Sequence, residues 1–232
     1  MMHTDGPDVK HDPLRLAAAE HRDPVSRRAT AAPQASKRKA EQGRETRSLL
    51  VAVGREQFGT IGFHNTSLEQ IASAAQVTKG ALYHHFAGKD DLFRAVYEKV
   101  KRDVTEQVAP SFLGRGPWES LVCGCRAMVE AYLQPEVRRI TLLDGRAVLG
   151  WAVVREIDSR FGAILLRGAL RQAMVGGVIS RLPLAPLAQM LNGAITEGCL
   201  MLADSVDPGP LLDDVHAVVG RLLEGLRLDP VS

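Results

Sequence analysis

The sequence predicts an all-α protein of about nine helices, with an N-terminal three-helix unit followed by a larger helical bundle. Apolar residues recur at three- and four-residue spacing through most of the chain after residue 44. Proline and glycine clusters fall between these periodic runs, where helices stop. No run alternates apolar and polar residues as a half-buried strand does. With 232 residues and 45% hydrophobic content, the chain is long enough for one or two domains with a real core.

Residues 1–43 hold prolines and scattered charges without a sustained apolar period, and they read as a largely disordered arm. Within them, residues 14–19 suit a turn or two of helix at most.

The segment 66–86 carries the most information. Thr66 or Ser67 is a good N-cap, and Glu69 and Gln70 lie near the position of a capping-box partner. Leu68, Ile71, Ala72 and Ala75 then give a short helix one apolar face. The turn falls around Gln76-Val77, and Thr78 caps a second helix over residues 78–84. Leu82 and Phe86 are spaced to face the core. That leaves Lys79, Gly80, Ala81, Tyr83, His84 and His85 on or near the outer face.

These outer residue types suit double-stranded DNA. Lys79 can neutralise a phosphate or reach a guanine edge, and Tyr83, His84 and His85 can donate to phosphate oxygens. Gly80 and Ala81 lack bulk, so a base edge can come close. Lys89 opens the next helix, where free backbone amides and a positive charge favour a phosphate. Two helices joined by a tight turn can lay the second in a major groove.

Residues 90–108 form the next helical run, closed by Pro110, Gly114, Gly116 and Pro117. Residues 118–133 follow, with Leu121, Val122, Cys125, Met128, Val129 and Tyr132 at helical spacing. Pro135 opens a segment ending near Gly145 or Gly150, and residues 151–175 read as one long helix stopped by Gly176-Gly177. Pro183 and Pro186 mark the start of a helix reaching about residue 203, and Asp207-Pro208-Gly209-Pro210 breaks it from a final amphipathic run over residues 211–228.

The stretch from Thr66 to Phe86, with Leu82-Tyr83-His84-His85-Phe86 and Lys89-Asp90-Asp91-Leu92-Phe93, resembles the DNA-binding segment of the tetracycline-repressor-like (TetR) family of bacterial regulators. The resemblance covers residues 44–97, with Leu50, Val53 and Phe58 as core positions of a first helix and Gly62-Phe63 where the family has Gly-Tyr. Carried over by position, it implies DNA contacts at Thr66, Thr78, Lys79, Gly80, Ala81, Tyr83, His84, His85 and Lys89. Three positions depart from the family pattern. Gln76 stands where the turn usually has glycine, at a cost of roughly 1 kcal/mol if φ is positive. Gly54 replaces the usual alanine inside the first helix, and Gln57 replaces an apolar residue. The domains implied are the arm at 1–43, a helix-turn-helix DNA-binding domain at 44–97 and an effector-binding and dimerisation domain at 98–232.

In the family the second domain encloses a small-molecule pocket. Trp118, Met128, Tyr132, Trp151, Phe161 and Met174 are its candidate apolar walls here, although residues of these types more often serve as plain core. Arg126, Glu130, Asp144, Arg146, Glu156 and Glu197 are candidate polar contacts or surface charges, Glu197 standing in an apolar stretch or at a helix edge. Leu187, Leu191, Ala194, Ile195, Gly198 and Leu202 form one broad face, and Val215, Val218, Val219, Leu222, Leu223 and Leu226 another. Paired helices of this kind form the four-helix dimer interface of the family. A dimer reads a near-palindromic operator whose half-sites lie about 34–36 Å, or a multiple of that, apart.

Charge adds little. The formal net charge is +2, with the small basic excess in the N-terminal part, so DNA binding must rest on a few placed cations and weaken with salt. The cluster Ser36-Lys37-Arg38-Lys39 is placed either to reach the adjacent minor groove or to be part of a solvated leader. Cys123, Cys125 and Cys199 form no disulfide framework or metal spacing and read as buried structural thiols. No apolar run has membrane-span length and no signal peptide stands at the N-terminus, which predicts a cytoplasmic protein.

The sequence therefore predicts a homodimeric, sequence-specific transcriptional regulator, a repressor released from its operator by a small-molecule effector. A DNA-binding protein without an effector, acting architecturally or through a protein partner, is the alternative. An enzyme is not expected, because no Cys–His pairing, metal spacing or phosphate loop is present, and no cofactor is called for.

Overall fold

The computed structural model describes residues 26–228, with side chains described from Lys37 onward. Among the described residues the regular elements are all helices, joined by short turns and loops, with one isolated antiparallel bridge between Ile179 and Arg227. The chain divides into two units at Arg44/Glu45, and the head and bundle both belong to the second.

Helix α1 runs Ser26–Ile61. Residues 26–43, expected as part of the arm, are helical within α1, while residues 1–25, including the expected turn at 14–19, lie outside the described residues. The reason is propagation. Ala, Gln, Lys, Arg and Glu dominate residues 34–47, and extending an existing helix adds a hydrogen bond per residue without a new nucleus. The apolar period begins only with Leu50, Val51 and Phe58, which are buried. Gly54 lies on that inner face, where a methyl group would come within 3.3 Å of Val96 Cγ2.

Helices α2 (Leu68–Ala74) and α3 (Lys79–His85) follow as short segments, and α4 (Lys89–Val108) spans the boundary expected at 97/98. Its buried stripe of Leu92, Phe93, Val96, Tyr97, Val100, Val104 and Val108 serves the N-terminal head at one end and the bundle at the other. Phe58, Phe63 and Phe93 meet at ring-centroid distances of 5.1 to 5.7 Å, anchoring α1, the following loop and α4 together.

A 3-10 turn at Ala109–Phe112 leads to α5 (Pro117–Tyr132), which packs against α4, α8, α9 and α10. Beyond it, α6 (Pro135–Val137) is a single turn running into a π-helix at Arg138–Asp144, and the chain continues as α7 (Gly145–Arg160) and α8 (Gly162–Val175). The long helix expected at residues 151–175 is thus two helices, broken at Phe161 with φ −113° and ψ −101°. A second interruption sits at Gly150, whose φ is 76°.

Helices α9 (Leu184–Asp204) and α10 (Pro208–Glu224) close the bundle. Asp207 caps the latter through the Gly209 amide at 3.3 Å, so the helix starts three residues earlier than the sequence suggests. Among the described residues no helix is long and apolar enough to cross a membrane.

Candidate nucleic-acid interface

The α2–turn–α3 unit is set by reciprocal capping. The Gln70 amide donates to Ser67 Oγ at 3.1 Å, and the Ser67 amide donates back to Gln70 Oε1 at 2.7 Å. Of the two candidate caps, Ser67 is therefore the one used. Leu68, Ile71, Ala72 and Ala75 are buried as the spacing requires.

The turn needs a left-handed residue. Gln76 has φ 54°, the sole positive φ of a non-glycine among the described residues. The Gln76 amide donates to the Ser73 carbonyl at 3.0 Å and the Val77 amide to the Ala72 carbonyl at 3.0 Å, which ends α2 and swings the chain. Thr78 Oγ1 then accepts from the Ala81 amide at 3.1 Å and starts α3.

Helix α3 is held by Leu82 and by Phe86 just after it, which are 0% and 1% exposed. Arg47 stacks its guanidinium 5.0 Å from the Phe86 ring centre and so stands beside α3, a position the spacing of α3 alone does not reveal. On the outer side Thr78, Lys79, Gly80, Tyr83 and His84 are exposed, and Ala81 and His85 are half-buried. Lys79 makes a 2.6 Å ion pair with Glu69 of α2 and lies 5.8 Å from the Tyr83 ring centre. The shared hydrogen bond holds the Glu69 carboxyl below its usual range and raises Lys79. In the free protein, then, the foremost cation of this face is already paired.

Thr66 and Lys89 are placed otherwise than expected. Thr66 is 2% exposed, and its hydroxyl donates to the Gly62 carbonyl at 2.8 Å. Lys89 Nζ donates to the carbonyls of Phe63 and Thr66 at 2.9 and 3.0 Å and lies 4.2 Å from the Phe63 ring centre. Both side chains fasten the loop between α1 and α2 rather than standing free on the outer face of α3. The remaining seven predicted positions are brought together along α3 and its cap.

The same loop is gripped from the π-helix. Asp144 Oδ2 accepts the Phe63 amide at 2.9 Å, and Arg139 Nη2 donates to the Ile61 carbonyl at 3.3 Å. Gly62 is needed between them, because its φ is 85° and a Cβ there would sit 2.9 Å from the Arg139 guanidinium. Arg55 of α1 pairs with Glu136 and, at 2.5 Å, with Asp103.

The six predicted apolar pocket walls scatter. Met128 and Tyr132 are buried, whereas Trp118, Phe161 and Met174 are half-buried, with Arg227 over Trp118 and Arg102 and Arg160 over Phe161. Trp151 is 57% exposed and carries Arg146 at 4.8 Å, so it is not an interior wall. Glu197 is exposed on the outer side of α9.

Tyr132 alone of the six opens on a polar interior. Lys101, 4% exposed, donates to the Tyr132 hydroxyl and pairs with Asp158 at 2.9 Å, and Tyr97 Oη lies 3.3 Å from the same carboxylate. Burial alone favours a neutral amine, but the oxygens of Tyr132 and Asp158 outweigh it and keep Lys101 charged. The signal was present in the sequence: Lys101 falls on the apolar stripe of α4 beside Tyr97, Val100 and Val104.

Comparison with known proteins fits this geometry. Residues 50–96 match the family described as bacterial regulatory proteins, tetR family, and residues 118–226 match the tetracyclin repressor-like C-terminal domain. The chain is similar to a TetR-family transcriptional regulator from Pectobacterium atrosepticum, at 32% identity and a TM-score of 0.74, over 82% of this chain and 98% of that one. It is 27% identical to the HTH-type transcriptional regulator TtgR of Pseudomonas putida, over 84% of this chain and 97% of the relative. The fold also matches RolR in complex with resorcinol, at 17% identity and a TM-score of 0.63, over 83% and 98% of the two chains.

Proposed function

The chain belongs to the TetR family of DNA-binding transcriptional regulators, and from that premise we propose that it is a homodimeric repressor released from its operator by a small molecule. The observation that carries the reading is the α3 face. Lys79, Gly80, Tyr83 and His84 stand exposed on one seven-residue helix whose Leu82 is fully buried. A helix held this way enters a major groove at its N-terminal end, with Lys79, Gly80 and Ala81 nearest the bases and Tyr83, His84 and His85 toward phosphates.

Residues 44–97 are the reading head and residues 98–232 the effector and dimerisation domain. The reading of α9 and α10 as the dimer interface is supported by their outer groove. Met201, Val218 and Leu222 are 52%, 60% and 46% exposed around Gly198 and Val215, an apolar strip that a second copy covers. The effector reading draws support from the RolR–resorcinol complex, in which a related fold carries a small ligand.

The test is a fluorescence-anisotropy titration against DNA upstream of the protein's own gene, at two salt concentrations with competitor DNA. Saturable binding of two subunits per site that resists competitor supports the proposal. Binding that competitor abolishes at every sequence recovered by selection from random DNA overturns sequence-specific regulation. Leu222→Glu, followed by sedimentation velocity, is expected to give monomers, and an unchanged dimer would move the interface elsewhere.

A further inference from the structure

Resting on the reading of residues 98–232 as an effector domain, we propose that the buried centre formed by Lys101, Tyr132, Tyr97 and Asp158 is the effector-recognition site, and that its ligand is a small organic carboxylate with an apolar body. The site is built from three elements that approach one another only in the folded bundle. Lys101 and Tyr97 come from α4, Tyr132 from the end of α5 and Asp158 from α7.

A buried ion pair inside a helical bundle is a weak stabiliser, because desolvation of both ions offsets most of their attraction. Its presence among Leu142, Val154 and Leu200 therefore calls for another reason. The donors point to one. An ammonium brings three N–H groups and each phenol one O–H, while Asp158 is the sole carboxylate among the described residues lining this space. Arg146 lines the same space from its exposed end, so the lining carries one more positive than negative charge. A second carboxylate balances that charge and offers further acceptors to the same donors. Its apolar body then meets Leu142, Val154 and Leu200.

Side chains fill most of this site. The free space is ≈ 10 Å³, about one water. Entry lies on the Arg146 side, where that guanidinium is stacked on Trp151 and the helix is broken at Gly150. Binding there separates Lys101 from Asp158, the carboxylate of the ligand taking the ammonium.

The consequence reaches the reading head along two elements. Helix α4 bears Lys101 in its second half and Lys89 at its start, where Lys89 holds the Phe63 and Thr66 carbonyls. The π-helix presents Thr141 and Leu142 to the site and Asp144 to the Phe63 amide. A ligand that moves either element shifts the loop from which α2 and α3 hang. It changes operator affinity only by its preference between the two arrangements.

The experiment is calorimetric titration of the full chain with benzoate and octanoate, each against its neutral counterpart, benzyl alcohol and octanol, with operator binding followed in parallel. Saturable binding of at least one acid, 10-fold or more tighter than its alcohol, is expected. In Lys101→Met that preference is expected to vanish. Tyr132→Phe, which removes only the hydroxyl and serves if Lys101→Met does not fold, is expected to weaken the acid about 10-fold. Failure of both acids to bind, equal binding of the alcohols, or undiminished acid binding in the variants overturns the assignment. Operator binding that persists in those cases leaves the DNA-binding reading standing, so the two failures are distinguishable.

Discussion

Asp144 Oδ2 accepts the backbone amide of Phe63 at 2.9 Å, joining the last residue of the π-helix to the loop that precedes the reading helices. The pair lies 81 residues apart in sequence. A seven-residue π-helix is a rare backbone state, and such segments cluster at functional positions. Here it turns one side to the buried Lys101 centre and one end to the head. Asp144→Ala removes a charged acceptor from a part-buried amide, and a loss of about 1–2 kcal/mol in urea unfolding is expected. An unchanged midpoint would mean the contact carries no weight.

Gln76 occupies a left-handed turn position without a glycine. Gln76→Gly is expected to stabilise the protein by about 0.5–1 kcal/mol, relief of side-chain strain exceeding the added freedom of the unfolded chain. Gln76→Val, β-branched at positive φ, is expected to destabilise by about 1 kcal/mol or more. Equal urea midpoints for all three proteins would exclude strain at this turn.

Tyr83 and Lys89 should separate cleanly. Tyr83→Ala is expected to leave the melting temperature within about a degree of the parent, because the ring is 47% exposed, while weakening DNA binding about 10-fold. Lys89→Met is expected to lower the melting temperature by several degrees, since two carbonyls lose their donor. A Lys89→Met protein that melts normally and loses only DNA affinity would restore this lysine as a phosphate contact.

Glu69 restrains Lys79 in the free protein through their 2.6 Å pair. Glu69→Gln frees the ammonium and removes a negative charge from the DNA-facing side. Operator affinity is then expected to rise about 2- to 5-fold at low salt, the gain shrinking as salt is added. Lys79→Ala is expected to reduce the salt slope by about 1. Reduced affinity in Glu69→Gln would show instead that the carboxylate positions Lys79 for binding.

The thiols give a chemical test of packing. Burial pushes Cys125 and Cys199 up to about 12, leaving roughly one thiolate in 10⁴ at pH 8. Cys123 is half-buried. With an aromatic disulfide reagent, the native protein is expected to release one equivalent of chromophore quickly and three after denaturation. Fast release of two or three equivalents from the native chain would contradict the burial of the other pair.

The sequence alone determined the all-α class, the two short helices of the head and the outward set along α3. Each of these rests on local physics: apolar spacing, a capping residue and a turn, all within about ten residues of one another. The extent of α1 escaped that reading, because helix propagation through Ala, Gln, Lys and Arg leaves no apolar signature. The break at Phe161 escaped it too, since the apolar period continues on both sides. Tertiary structure alone decided which partners the inward polar side chains meet. Thr66 and Lys89 looked like surface groups until the loop carbonyls at Gly62, Phe63 and Thr66 came within reach, the last two 26 and 23 residues from Lys89. Lys101 meets Tyr132 from 31 residues away, and Asp144 meets Phe63 from 81. A helical face can be read from spacing because it repeats along the chain. The partner of a single buried charge cannot, because it is fixed only when distant helices pack and the ion must find an acceptor or remain outside.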